Sequence, residues 1–274
     1  MTILEILIII KKYINKFLQL FGFELVTTNS MNELIKIKKS RSYEHLNLLL
    51  TLPSSNLNKL ISLIPKSKSQ ITQDLFVISE LNFKKNGFFV EFGATDGINF
   101  SNTYMLEKEF NWNGILVEPA KVWWKELLKN RPNVVTESLC VWKESNVNIE
   151  FNETKNSQTS TIDLYTNSDL HRSLRKKGKK YLVKTITLMD LLQKYNAPKI
   201  IDYLSIDTEG SEFEILNTID FNKYTFKIIT CEHNYTENKE QVFNLLTKNG
   251  YIRKYESLSN YDDWYVLNST CIEI

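Results

Sequence analysis

Cysteine is scarce in this chain of 274 residues. Cys140, Cys231 and Cys271 are an odd number, widely spaced and without a CxxC pair. That excludes a zinc ribbon and a disulfide framework, and points to reduced thiols in a cytoplasmic protein. Eight glycines and five prolines are too few for a collagen-like or linker-built chain. Charge of one sign is also in short supply. A net charge of +2 lacks the strongly basic footprint of a dedicated nucleic-acid binder, so no nucleic-acid partner is expected. The apolar run at residues 3–10 is interrupted by Glu5 and followed by Lys11, Lys12 and Lys16. It falls well short of the roughly 20 residues a membrane-crossing helix needs. It also has no basic segment before it and no small-residue cleavage site after it, so a secretory signal is not expected.

Apolar residues make up 42% of the sequence and aromatic residues 12%, enough for a sizeable core. Residues 1–80 carry ten Lys/Arg against six Asp/Glu, +4, and the remainder sums to −2. Leu4, Leu7, Ile8, Tyr13, Ile14, Phe17, Leu18 and Phe21 recur at helical spacing. They predict a helix packed on the body of the protein or in a homodimer contact, or one lying peripherally on the inner face of a membrane. The first third is helical in pattern, with polar breaks at 27–30, 53–56 and 66–69. From residue 88 short apolar runs alternate with amphipathic segments. Strands are expected at 88–92, 115–117, 133–136, 203–206, 228–231 and 263–268. Helices are expected at 101–110, 122–130, 212–219 and 240–249, the last closed by Gly250. This alternation means a doubly wound α/β sheet covered on both faces. Residues 147–187 are polar and break the rhythm; they read as an insertion near the ligand edge, loop-like at 152–160 and strand-like at 181–187.

The first strand runs into Gly93-Ala94-Thr95-Asp96-Gly97. In such sheets ligands sit beyond the carboxyl ends of the strands, where glycine lets the backbone come close. The dinucleotide pattern GxGxxG is absent, and an acid, Glu91, stands two residues before Gly93. That suits a ligand carrying positive charge better than a pyrophosphate. Glu118 closes the second strand, where an acid commonly accepts two ribose hydroxyls. Together these describe a site for S-adenosylmethionine. Farther on, Asp207, Glu209, Glu232 and His233 follow two more strand ends on the same edge. Ser211 is expected to cap the next helix with Glu214 in a capping box. Glu209 or His233 could take a proton from an attacking hydroxyl. Alternatively, Asp207, Glu232 and His233 could hold Mg²⁺ or Mn²⁺.

The ordered set SQITQDLF, FFVEFGATDG, ILVEPA, ITLMDLL, YLSIDTEGSEFEIL and ITCEHNYT, from about residue 69 to 250, resembles the FkbM family of S-adenosylmethionine-dependent methyltransferases. The resemblance implies a class I methyltransferase fold: a Rossmann-like, seven-stranded, mostly parallel sheet with an antiparallel last strand. It implies a methyltransferase domain at 69–274 after an N-terminal helical extension at 1–68. It also implies O-methylation of a sugar, nucleotide-sugar or glycan acceptor, in surface polysaccharide or glycan biosynthesis. Carried over, Glu91, Gly93, Thr95, Asp96, Gly97, Glu118 and Asp207 would line the cofactor. Asp207 and Glu209 would face the methyl group, with Glu232 and His233 nearby.

Arg172, Arg175, Lys176, Lys177, Lys179 and Lys180 place six cations in nine residues. They read as a solvated loop or as a trap for a phosphorylated, nucleotide-linked or anionic sugar. Trp112, Trp123, Trp124 and Trp142 are read chiefly as packing. Two rival readings are a nicotinamide oxidoreductase on a similar sheet and a non-catalytic glycan- or membrane-associated module.

Overall fold

The structure, a computed structural model, describes residues 14, 41–154, 157–168 and 172–268. Apart from Ile14, the helix expected from residues 4–21 lies outside the described residues, with its dimer and membrane alternatives, as does Cys271. The chain divides into two compact units, Met1–Leu46 and Asn47–Ile274, and apart from the first residues of the first helix the second carries everything described below.

Helices α1 (Arg41–Thr51), α2 (Leu57–Leu63) and α3 (Gln73–Glu80) precede β1 (Phe88–Phe92). Then come α4 (Tyr104–Phe110), β2 (Asn113–Val117), α5 (Trp124–Asn130), β3 (Val135–Glu137) and β4 (Cys140–Val141). The segment read as an insertion holds β5 (Asn148–Glu153), β6 (Thr161–Ile162), α6 (Arg172–Arg175) and β7 (Lys179–Ile186). The chain continues through α7 (Leu188–Lys194), β8 (Ile200–Ile206), α8 (Glu212–Leu216), β9 (Thr225–Glu232), α9 (Asn238–Lys248), β10 (Tyr251–Lys254), α10 (Glu256–Ser259) and β11 (Asp262–Leu267). Among the described residues seven strands form one sheet, in the order β10-β11-β9-β8-β1-β2-β3. Strand β11 is antiparallel to both its neighbours, and the pairs from β9 to β3 are parallel. The order reverses between β1 and β8, the switch point where a doubly wound sheet opens a crevice.

Period-two alternation assigns each side chain to a face. Val90 and Phe92 of β1, Leu204 and Ile206 of β8, and Ile229 of β9 join one buried cluster with Leu188, Leu191 and Leu246 of the covering helices. Phe89, Tyr203 and Ile228 face the other way, into a cluster with Leu75, Phe76, Met105 and Trp264. Each fully buried side chain of this kind contributes about 1.5–3 kcal/mol, so the two layers fix the strand ends firmly. Leu48, Leu52, Leu60 and Leu63 lie in this second cluster too. The boundary drawn at residue 69 therefore falls inside the compact unit rather than at its edge.

Three expectations need correction. Residues 147–187 hold more than the strand read at 181–187: β5, which reaches into the segment read as loop-like at 152–160, pairs antiparallel with β7 over six residues, and the two form a four-stranded sheet with β4 and β6. Helix α4 starts at Tyr104 rather than 101, because Ser101, Asn102 and Thr103 are drawn onto the Glu91 carboxylate. Ser211 does not cap α8 and Glu214 pairs instead with Lys143, at 2.9 Å. The buried Glu212 does the work, accepting from the Thr208 and Gly210 N–H groups at 3.0 Å each. Among the described residues no helix is long and apolar enough to cross a membrane.

Candidate active site

Register brings the acids together before any side chain is considered. Val90 pairs with both Ile115 and Leu204, and Ile206 with Cys231. Continuing one step, Glu118 leaves β2 beside Gly93, whose N–H donates to Val117 O at 3.1 Å. Asp207 leaves β8 beside Glu232, the last residue of β9.

These strand ends enclose a cavity of about 410 Å³. Gly93, Thr95, Glu118, Asp207, Glu209 and Glu232 all line it. Phe151 and Ile162 of the small sheet, with Gln158, Thr159 and Ser160, close one side. Four of the described lining residues are carboxylates, and none is Lys, Arg or His. Gly93 has φ +74, and a Cβ on it would stand 2.3 Å from the Asp207 carbonyl oxygen. Only glycine permits that approach.

Glu118 is buried, yet its two oxygens accept from the Thr95 N–H at 2.8 Å and the Ala120 N–H at 2.7 Å. Burial pushes its carboxyl up to about 7 against the pull of those bonds. Burial likewise raises Asp207 to about 6, although a hydrogen bond with Glu232 draws it down. Glu232 is driven well above the carboxylate range by burial, then by the charges of Asp207 and Glu209, and by that same hydrogen bond. Asp207 and Glu232 thus titrate as a coupled pair, both raised chiefly by burial. Glu209 is different. It sits at φ +59 and accepts from Arg175 Nη2 at 2.8 Å and from Asn234 Nδ2 at 3.3 Å. Its charge is already matched.

The structure separates the remaining candidates from the cavity. Glu91 lies on the opposite face of β1 from Val90 and Phe92. Its carboxylate accepts from Ser101 Oγ at 3.0 Å, Asn102 N at 2.6 Å and Thr103 Oγ1 at 2.5 Å, with Arg131 nearby. It braces the loop behind the site. Asp96 accepts from the Ile98 and Asn99 N–H groups, an Asx turn, rather than facing a ligand. Gly97 packs against Arg131 and Leu127. His233 is buried and does not line the cavity. Its Nδ1 accepts from the Tyr235 N–H at 3.0 Å, and its Nε2 lies 3.6 Å from Asp263 Oδ1. Although Asp263 is buried, His233 and Arg253 hold its carboxyl below the ordinary range. His233 thus drops out of both the base and the metal set. The oxygens that do cluster, within 4.8 Å of one another, belong to Asp207, Glu209 and Glu232.

Three contributors gave no sequence signal as site residues. Arg175 is fully buried, binds Glu209, and also donates to Thr159 O at 2.9 Å and Tyr165 O at 3.2 Å. It looked like one cation of a run, and its acid lies 34 residues away. Phe151 and Tyr235 reach the cavity only through the fold. Cys140 lines the wall as an inert thiol, pushed up to about 12 by burial. Trp112 and Trp142 are core residues, as the packing reading expected.

The family model described as the methyltransferase FkbM domain matches residues 91–260. Among solved structures, a methyltransferase FkbM from Methylobacillus flagellatus KT is 11% identical at a TM-score of 0.45, covering 81% of this chain and 58% of its own. A precorrin-6y C5,15-methyltransferase from Geobacter metallireducens GS-15 is 10% identical at a TM-score of 0.39, covering 70% of this chain and 85% of its own. The N-terminal domain of human METTL16 in complex with SAH is 13% identical at a TM-score of 0.37, covering 70% and 66%. This chain thus spans 58% of the length of the first of these. A comparison with curated proteins gives no match. The seven-stranded sheet with its antiparallel β11 is a class I methyltransferase-like α/β fold.

Proposed function

Since the chain belongs to the FkbM methyltransferase family, we propose that it moves a methyl group from S-adenosylmethionine to a hydroxyl of a sugar or sugar-containing acceptor, in the assembly of surface glycans. That membership sets aside the oxidoreductase reading. The observation that carries the proposal is the close carboxylate pair Asp207–Glu232 in the same cavity as Glu118 and the bare backbone of Gly93.

The residues fit the cofactor's chemistry: a cavity with four carboxylates and no cation among its described lining residues favours a sulfonium and disfavours a pyrophosphate. Gly93, Thr95, Glu118 and Asp207 are the residues that would hold it. Bound there, it supplies an electrophilic methyl group. The acceptor hydroxyl is a weak acid and needs its proton removed as it attacks. Asp207 serves as the base. Its ordinary value is raised toward neutrality, and the hydrogen bond with Glu232 engages one of its oxygens, leaving the other for the hydroxyl. Glu209, tied to Arg175, shapes the turn and orients Asn234. The amides and hydroxyls of Gln158, Thr159, Ser160 and Asn234 suit a polyhydroxylated acceptor. Incubation with labelled methyl donor and a panel of sugars, nucleotide-sugars and cell-envelope extracts, followed by mass spectrometry, tests this; label appearing only on protein or nucleic acid would refute it.

Two expectations arise here. Glu118→Gln should weaken cofactor binding by about 10- to 100-fold, the loss of one or two charge-assisted hydrogen bonds at roughly 1.5–3 kcal/mol. In the wild type, ribose hydroxyls favour the ionised Glu118, so binding below pH 7 expels a proton and affinity climbs as pH rises toward 7. Calorimetry at pH 6 in two buffers of unequal ionisation heat reads that proton, and identical heats would refute the assignment. Second, Arg175 and Asn234 already donate to the carboxylates beside Asp207. Their charge is balanced by these donors, so turnover should survive EDTA. Loss of activity restored by Mg²⁺ or Mn²⁺ would show that Asp207, Glu209 and Glu232 hold an ion instead.

A further inference from the structure

Beside the site cavity lies a second groove of about 650 Å³, sharing Asn234 and Tyr235 with it. Its other lining residues are Asn167, Ser168, Arg172, Ser173 and Thr236. Among the described residues these are amides, hydroxyls and one guanidinium, with no carboxylate. Of the described cations of its run, Arg172 is the one that lines this groove. Arg175 is committed to Glu209, and Lys180 to Asp163 and Glu150. Arg172 is exposed and has no hydrogen-bond or ion-pair partner among the described residues.

Tyr235 marks the junction of the two spaces. It is 67% exposed and, like Asn234 before it, left-handed, with φ +57 and +44. A bulky residue there costs about 1–2 kcal/mol and persists only where its surroundings enforce it. They do: His233 Nδ1 takes the Tyr235 N–H, Tyr261 O takes the Asn234 N–H at 3.1 Å, and the His233 and Tyr235 rings meet edge to face at 5.4 Å. The buried histidine is thus a positioning residue that holds an aromatic ring at the mouth between the cavities.

We propose that this groove receives the remainder of the acceptor, and that the acceptor carries an anionic group, phosphate or carboxylate, held by Arg172 with the Ser173 hydroxyl while its sugar ring lies against Tyr235. The proposal rests on the sugar-hydroxyl reading above. A guanidinium fork matches both kinds of oxyanion, and an aromatic ring offers an apolar face with a polar tip to a sugar.

The test uses the full chain saturated with S-adenosylhomocysteine and titrated calorimetrically with glucose 1-phosphate, glucuronate and glucose. At least one anionic sugar should bind tenfold or more tightly than glucose, and which one does so distinguishes phosphate from carboxylate. Arg172→Gln should erase the preference and Arg172→Lys should keep part of it, with S-adenosylhomocysteine affinity equal in all three proteins. Tyr235→Ala should weaken charged and neutral sugars alike. Equal binding of the three sugars, binding of none, or a preference that survives Arg172→Gln overturns the inference. Parallel reactions with labelled methyl donor separate the two levels. Methylation of sugars without regard to charge sinks the groove assignment alone. Arg172-dependent binding with no sugar ever methylated sinks the sugar reading and leaves the groove an anion site.

Discussion

Asp207→Asn is expected to lower turnover by about 10²- to 10⁴-fold, the usual contribution of a positioned general base, a loss larger than the fall in cofactor affinity that also follows from removing one of the carboxylates lining the cavity. The asparagine keeps the size of the side chain and one acceptor oxygen for Glu232, but it cannot take a proton from the acceptor. The pH profile makes the assignment specific. With Asp207 raised to about 6, the wild-type rate should climb as pH rises through that value and the base is freed, then level off. The variant should lose that limb. Removing the Asp207 charge also removes one of the influences that hold Glu232 high, so the Glu232 carboxyl falls toward its ordinary range. Steady-state kinetics at several pH values reads all of this. A variant with wild-type kcat would show that the proton leaves by another route.

Gly93→Ala should be severely damaging both to stability and to the site. The added carbon would lie 2.3 Å from a backbone oxygen, at a φ of +74 that side chains rarely adopt. Asp207 O cannot retreat without prying β8 from β1, whose parallel pairing includes Val90 with Leu204. A cost of roughly 2–4 kcal/mol follows from clash and strain together. In a domain of this size that is a fall in Tm of about 5–15 °C, and the cavity's floor shifts with it, so cofactor affinity should drop more than tenfold. Gly97→Ala is the control. Its Cβ, at φ +79, would meet Arg131 Cγ at 2.7 Å and Leu127 Cδ1 at 2.8 Å, buried side chains that do not line the cavity. It should cost stability yet leave cofactor affinity near wild type. If both alanines bound the cofactor equally well, the close approach of Gly93 to the ligand would be wrong.

The main sheet was readable because its central strands are buried on both faces and so appear as short unbroken apolar runs; β1 spans the five residues its pattern marks. What escaped were the strands without that signature. Strand β10, YIRK, has one buried residue and two cations. Strand β5, NIEFNE, reads as polar because its small sheet offers water one face. The site followed the same physics. Glu118 and Asp207 lie just beyond their strands, where the backbone is released from the pleat, and both reach the cavity. Glu91 is still inside its strand, and alternation turns it to the rear. His233 leaves the edge because the Asn234–Tyr235 turn folds back upon it. No spacing rule announces the ion pair of Arg175 with Glu209, since it joins the end of α6 to the turn after β8, distant in sequence, and exists only once both are folded. An odd-looking uniform run of cations thus hid one residue of the site among five that lie elsewhere on the surface or in the neighbouring groove.

The central claim is that one hollow at the β1/β8 switch point holds the methyl donor. A crystal structure of the full chain with S-adenosylhomocysteine decides it. Density for the ligand should run between Gly93 and Asp207, with its ribose on Glu118 and its sulfur facing the Asp207–Glu232 pair. A ligand bound anywhere else on the protein, or lying in the hollow with its ribose turned away from Glu118, would contradict the account.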